Sequence, residues 1–233
     1  MIIPQATYLS YQRVVLKVNR YNSALIIAMM KKTDLMVMEF TMPIQRETIL
    51  SHALNQLEIQ GLSASTENLL SEIESDFSTI RQFWPDDEAL VYDCLRFHGQ
   101  QIEIWQRQTL LDEALGPHQK LMARYQQLSE KVSEGRFPGC LFISACNYYP
   151  DSDHPIHQLC RLQKENSFDF TKELLDELDI EDSELVANQM ELVLEGCLNR
   201  LLVQRDIQDV EIAQHLSEDI LTIALCRKKG ALS

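Results

Sequence analysis

The sequence has 233 residues, 45% hydrophobic and 24% charged, which suits one large or two modest globular domains and excludes a disordered or fibrous chain. Seven glycines and seven prolines are too few turn residues for a many-stranded sandwich, barrel or dinucleotide-binding fold, so the expectation is mostly helix. The formal charge of −14 excludes a chain that coats nucleic acid or anionic membrane by charge alone; any DNA contact must be local.

The N-terminal stretch, residues 1–42, differs from the rest. It carries Arg13, Lys17, Arg20, Lys31 and Lys32 against Asp34 and Glu39, a net +3, and lacks sustained helical periodicity. It reads as a loosely ordered extension, or as upstream sequence with Met42 as the start; the alternative is a basic arm touching a phosphate backbone. The apolar run Ala24 to Met30 is only seven residues and is followed by two lysines, so neither a signal peptide nor a membrane span is expected.

From Pro43 onward the apolar spacing is helical. A first helix is expected from Gln45 to Gln60, ended by Gly61, with Ile49, Leu50, Ala53, Leu54 and Leu57 on one face. Ser65 or Thr66 caps a short second helix, and a third runs from Phe77 to Phe83 and stops at Trp84. Pro85 opens a long fourth helix, Asp86 to Leu111, with three carboxylates in its first turn, where they suit the helix dipole. Gly116 and Pro117 separate it from a fifth at His118 to Ser133. The apolar segment 139–149 is ambiguous by periodicity but has helical neighbours, and three more helices are expected at 155–179, 183–204 and 208–227.

Six cysteines, Cys94, Cys140, Cys146, Cys160, Cys197 and Cys226, form no C-x-x-C pair, so a reducing cytosol fits and a disulfide framework does not. Four of them lie in apolar helical stretches, where thiols are usually inert. Asp151, Asp153, His154, His157 and Cys160 have spacing that suits zinc. Asp153, His154 and Pro155 are explained without metal if Asp153 caps a helix whose first turn holds Pro155. No phosphate-binding loop, nucleophile elbow or kinase signature occurs, so neither catalysis nor a cofactor is expected.

Three short helices followed by a long connecting helix and a larger helical body are what a helix-turn-helix regulator requires. The sequence resembles the TetR/AcrR regulators at Arg46, Ile49, Leu50, Ala53, Leu54, Leu57 and Gly61, at Thr66, in FWPDDEAL at 83–90, in GCLFISACNYYPDSDHPIHQL at 139–159 and in EDSELVANQMELVLEGCL at 181–198. The likeness covers residues 43 to 227. It implies an all-α protein with an extension over 1–42, a three-helix DNA-binding domain over 43–92 and a helical effector-binding and dimerisation domain over 93–233. The implied DNA contacts are Arg46, Thr66, Ser78, Thr79, Arg81 and Gln82, since Arg pairs with guanine and Gln with adenine. Phe83 and Trp84 are expected to pack as core. An effector pocket is implied at Trp105, Met122, Tyr125, Phe142, Cys146, Tyr149, Phe168 and Met190, lining that equally suits solid core.

Two departures bear on DNA binding. The turn before the third helix reads EIESDFSTIRQFW, one residue short of the family pattern, and Asp87 stands where the family places a phosphate-binding lysine. Residues 45–92 hold two arginines against nine carboxylates, a net −7, so affinity must come from a few well-aimed contacts. The apolar pairs on the penultimate helix imply a second buried face; Val193, Leu194, Cys197 and Leu201, with Leu216, Ile220 and Ile223 on the last helix, are the expected homodimer interface. The reading is a cytoplasmic repressor that binds a palindromic duplex operator and responds to a small-molecule effector of unread identity. The alternative keeps the dimer but has a helix-turn-helix that no longer binds DNA specifically.

Overall fold

The computed structural model describes residues 46–73 and 76–228, and among these every regular element is helical. Residues 46–60 form α1, which ends where Gly61 takes a φ of +82°, a conformation open to glycine and costly for other residues. α2 spans Thr66–Leu69, capped by the Ser65 hydroxyl accepting from the Asn68 N–H, and α3 spans Phe77–Phe83, capped by Asp76. α4 is Asp87–Leu111, α5 Pro117–Ser133, α6 Leu141–Tyr148, α7 Pro155–Glu177, α8 Ser183–Gln204 and α9 Gln208–Lys228. The extension over 1–42 lies outside the described residues, as do 74 and 75 in the turn before α3.

Two local expectations need correction. The cap of α4 is Asp86, which accepts from the Ala89 N–H at 2.8 Å, so the helix begins one residue later than expected and Pro85 precedes it. The cap of α7 is His154, not Asp153: its Nδ1 accepts from the Ile156 N–H at 3.2 Å, with Pro155 in the first turn. Asp153 instead donates its own N–H to Asp151.

The apolar side chains gather into two clusters. The first, here the head core, joins Ile49, Leu57, Leu69, Ile80, Trp84 and Leu90 of the first four helices to Phe142 and Ala145 of α6 and to Ile156 and Cys160 at the start of α7. The second, the body core, joins Leu121 and Tyr125 of α5 to Phe170 and Leu174 late in α7, Met190 and Leu201 of α8, and Val210 and Leu221 of α9. Two long helices serve both. α4 gives Leu90 to Leu95 to the head core and packs Trp105 and Leu110 on the body core; α7 gives Ile156 and Cys160 to one and Phe170 to Leu175 to the other. Gln163 of α7 lies against Gly99 of α4, where an added Cβ would lie 2.8 Å from Gln163 Oε1.

Candidate functional site

In the head, the short helices are tied by one carboxylate. Asp87 Oδ1, in the first turn of α4, accepts from the Thr66 N–H at 3.1 Å and from the Thr66 hydroxyl at 2.6 Å. The same oxygen lies 3.2 Å from Arg81 Nη2 on α3, and Glu67 Oε1 of α2 lies 3.0 Å from that nitrogen. The Thr66 hydroxyl and amide and the Arg81 guanidinium hold the Asp87 carboxyl below its usual range against some desolvation. Asp87 therefore does more than subtract a phosphate contact; it fastens α2, α3 and α4 together.

The six residues implied as DNA contacts have different settings. Ser78 and Gln82 are exposed on α3, with Thr79 half-buried beside them. The Ser78 side chain hydrogen-bonds Asp76. Arg81 is half-buried, donates to the Pro85 carbonyl at 3.3 Å, and lies over the Phe77 ring at 5.1 Å. Thr66 is fully buried, and Arg46 is the first described residue of α1. Trp84 is buried, as expected, and its indole donates to Asp93 at 2.8 Å.

Between the two cores lies a cavity of about 150 Å³. Ile102 and Trp105 of α4, Leu141 and Phe142 of α6, and Leu194 and Leu198 of α8 supply apolar wall; Arg124 and Lys131 of α5 and Gln163, Lys164 and Ser167 of α7 supply polar atoms. Of the eight residues implied as pocket lining, Trp105 and Phe142 line it. Met122, Tyr125 and Met190 are buried in the body core, where the Tyr125 hydroxyl meets Ser217 at 2.6 Å. Phe168 packs against that core, and Cys146 and Tyr149 pack against the head core. A cleft of about 340 Å³ between α1, α4 and α5 shares Glu58, His98, Trp105 and Lys131 with the cavity, so the opening extends to the first helix of the head.

Most polar groups on the wall are satisfied. Arg124 donates to Glu191 and to Thr171, each at 2.6 Å, and Ser167 donates to Glu191 at 2.8 Å. Burial pushes the Glu191 carboxyl up, but the Arg124 charge and three hydrogen bonds outweigh it and hold the group below its usual value. Lys164 pairs with Glu195 at 2.6 Å. Two polar atoms of the wall have no partner among the described residues: Gln163 Nε2, on a residue that is 6% exposed, and His98 Nδ1. His98 stacks on Phe142 at 5.3 Å. Burial, with help from Lys131 and Arg136, pushes its imidazole down to about 4, so it is neutral at physiological pH. None of His98, Lys131, Gln163 or Arg124 was singled out by the sequence reading. A glycine in the middle of a long helical pattern was the available signal, since it marks a close approach.

No family model matches the sequence. A curated relative does: 190 residues, 81% of this chain, align with the whole length of the helix-turn-helix transcriptional regulator YjdC of Escherichia coli K12 at 53% identity. The chain belongs to the YjdC family of helix-turn-helix transcriptional regulators. Its fold is that of the TetR-family regulators. One from Streptomyces coelicolor matches with a TM-score of 0.69 at 18% identity, over 77% of this chain and 95% of that one. One from Legionella pneumophila matches at 0.66 and 18%, over 73% and 94%.

The remaining surfaces of this YjdC-family regulator are now readable. α8 and α9 leave Leu185, Leu192, Val203, Ile212, Leu216 and Ile223 exposed on the protomer. Of the residues expected at the interface, Leu216 and Ile223 are exposed, Val193, Leu194 and Ile220 are half-buried against their own core, and Cys197 and Leu201 lie inside it. Burial raises the thiols of Cys94 and Cys160 to about 12 and of Cys197 to about 11, so they are poor nucleophiles. In the segment weighed for zinc, Cys160 is buried and His157 Nδ1 lies 2.8 Å from the Tyr149 carbonyl. Among the described residues no helix is long and apolar enough to cross a membrane.

Proposed function

We propose that this regulator is a cytoplasmic repressor that grips a palindromic operator as a homodimer and releases it when a small molecule fills the body cavity. In this reading α3 is the recognition helix. Ser78, Thr79, Arg81 and Gln82 face the bases, Arg46 meets a phosphate, and Thr66 acts through Asp87 by fixing the angle between α2 and α4. The exposed apolar faces of α8 and α9 pair across a two-fold axis, which sets the two α3 helices about 34 Å apart, one turn of DNA.

The observation that carries the reading is the cavity's position. It opens where α4 and α7 leave the head core and enter the body core, and Glu58 of α1 lines it. A ligand there shifts two helices whose other ends hold α3 in place. Ligand binding changes an equilibrium only through differential affinity for two states, and a site at this crossing differs between a bent and a straight α4–α7 pair. A mobility shift on the protein's own upstream DNA at low salt, with sedimentation of the same sample, tests the reading. A dimer retarding that fragment is expected; a monomer, or no retarded fragment across the genome, overturns it.

A further inference from the structure

The cavity has more chemistry than an apolar hole, and its polar atoms are not equivalent. Arg124, Ser167 and Lys164 are already paired. Gln163 Nε2 and His98 Nδ1 are not, and a buried donor left without an acceptor is costly enough that native proteins rarely leave one. An amide N–H needs an acceptor. A neutral imidazole carrying its proton on Nε2 offers Nδ1 as an acceptor and needs a donor. One hydroxyl satisfies both, accepting from Gln163 and donating to His98. Trp105 and the stacked pair of His98 and Phe142 supply flat aromatic surface around that point.

The opposite requirement lies where the cavity joins the cleft. Lys131 lines both openings, and its ammonium takes part in no ion pair or hydrogen bond among the described residues. Burial pushes its ammonium down, opposed by Glu58. An anion placed at this junction removes that penalty and competes with Glu58 for the lysine. The inner space accommodates one aromatic ring: about 150 Å³ is close to the volume of an engineered apolar cavity that holds one benzene, roughly 150 Å³.

We propose that the effector of this regulator is a hydroxylated single-ring aromatic acid, with its hydroxyl on Gln163 and His98 and its carboxylate on Lys131. This rests on the reading of the cavity as the effector site and adds the ligand's chemistry to it.

The test is equilibrium dialysis of the full chain with para-hydroxybenzoate, benzoate and benzyl alcohol as probes, with thermal denaturation to show that each variant folds. Wild type should hold para-hydroxybenzoate more tightly than benzoate. Gln163→Leu should weaken para-hydroxybenzoate by about tenfold and leave benzoate unchanged; Lys131→Met should weaken both by about tenfold, each loss corresponding to one buried charge-assisted or orphaned hydrogen bond. If benzyl alcohol binds as well as either acid and Lys131→Met changes nothing, the anionic class is overturned while the cavity remains a site. If no probe binds, the proposal fails, and Leu198→Trp, which fills the cavity, decides the wider reading. A loss of DNA retardation in that variant keeps the cavity as an effector site for another ligand; unchanged retardation overturns that reading as well.

Discussion

The head and the body are built by opposite use of charge. In the head the core is apolar and the ionic groups sit at its surface, where Asp87, Glu67 and Arg81 fasten the two short helices α2 and α3 to the first turn of α4. In the body a carboxylate and a guanidinium, Glu191 and Arg124, are buried beside the cavity with Thr171 and Ser167. Surface pairs of the first kind contribute roughly 0 to 1 kcal/mol, whereas breaking a buried pair by removing one partner costs about 3 to 5 kcal/mol. The head is therefore adjustable at low cost and the body is not. In the proposed reading, that division serves the conversion of ligand binding into movement of the DNA-reading helices.

Breaking the body first gives the largest effect. Arg124→Ala should strand the Glu191 carboxylate inside the protein and lower stability by about 3 to 5 kcal/mol in urea denaturation. Arg124→Leu with Glu191→Leu should recover most of it; a loss that persists in the double variant would mean that the packing, not the charge, was removed. The assembly comes next. Leu192→Glu with Leu216→Lys changes side chains that are 68% and 48% exposed on the protomer, so the monomer's fold should survive while the dimer loses several kcal/mol and DNA retardation vanishes. Unchanged sedimentation would place the interface elsewhere.

His98 sharpens the comparison through pH. Its folded pKa lies below its ordinary value of 6.5, near 4, so the unfolded chain binds the proton more readily. Stability should be full above pH 6.5 and should fall as pH drops toward 4, by up to about 3 kcal/mol. His98→Leu should flatten that slope in denaturant titrations at each pH. The smallest effects belong to the head. Arg81→Ala should weaken specific DNA binding by about 1 to 3 kcal/mol. Glu67→Gln should tighten it severalfold by releasing one of the two carboxylates that face Arg81 and should steepen its salt dependence. Asp87→Lys is the less clean substitution: restoring the family's cation there also removes the acceptor that holds Thr66, so a gain in DNA attraction comes with a looser helix-turn-helix.

How much of this was legible in the sequence divides along the same line. Helix positions were readable because their causes are local. Gly61 ends α1, Ser65 starts α2, Trp84 ends α3, and the spacing of Val186, Met190, Cys197 and Leu201 fixes α8 over the span the structure shows. Periodicity reports burial, however, and not what a buried side chain faces. Met122 and Phe142 satisfy the same pattern, yet one is surrounded by core and the other borders empty space. Gln163 of α7 lies against Gly99 of α4 with its amide nitrogen unpartnered, a meeting of residues far apart in the chain that periodicity does not report. Asp87 likewise reads locally as a missing phosphate contact, whereas its role as acceptor for Thr66, 21 residues earlier in the chain, is set by the fold.

The acidity of the head bears finally on how such a regulator finds its site. A DNA-binding domain studded with lysines lingers on any duplex and diffuses along it, so genomic DNA acts as a reservoir that holds most of the free protein. Here nine carboxylates outnumber two arginines over residues 45–92, and Arg81 is faced by two of those carboxylates. In the proposed reading, such a head is repelled by random sequence and engages only where base edges outcompete Glu67 and Asp87 for the guanidinium. The cell's own DNA then sequesters little of the protein, and operator occupancy follows its total amount more directly than for a cationic repressor.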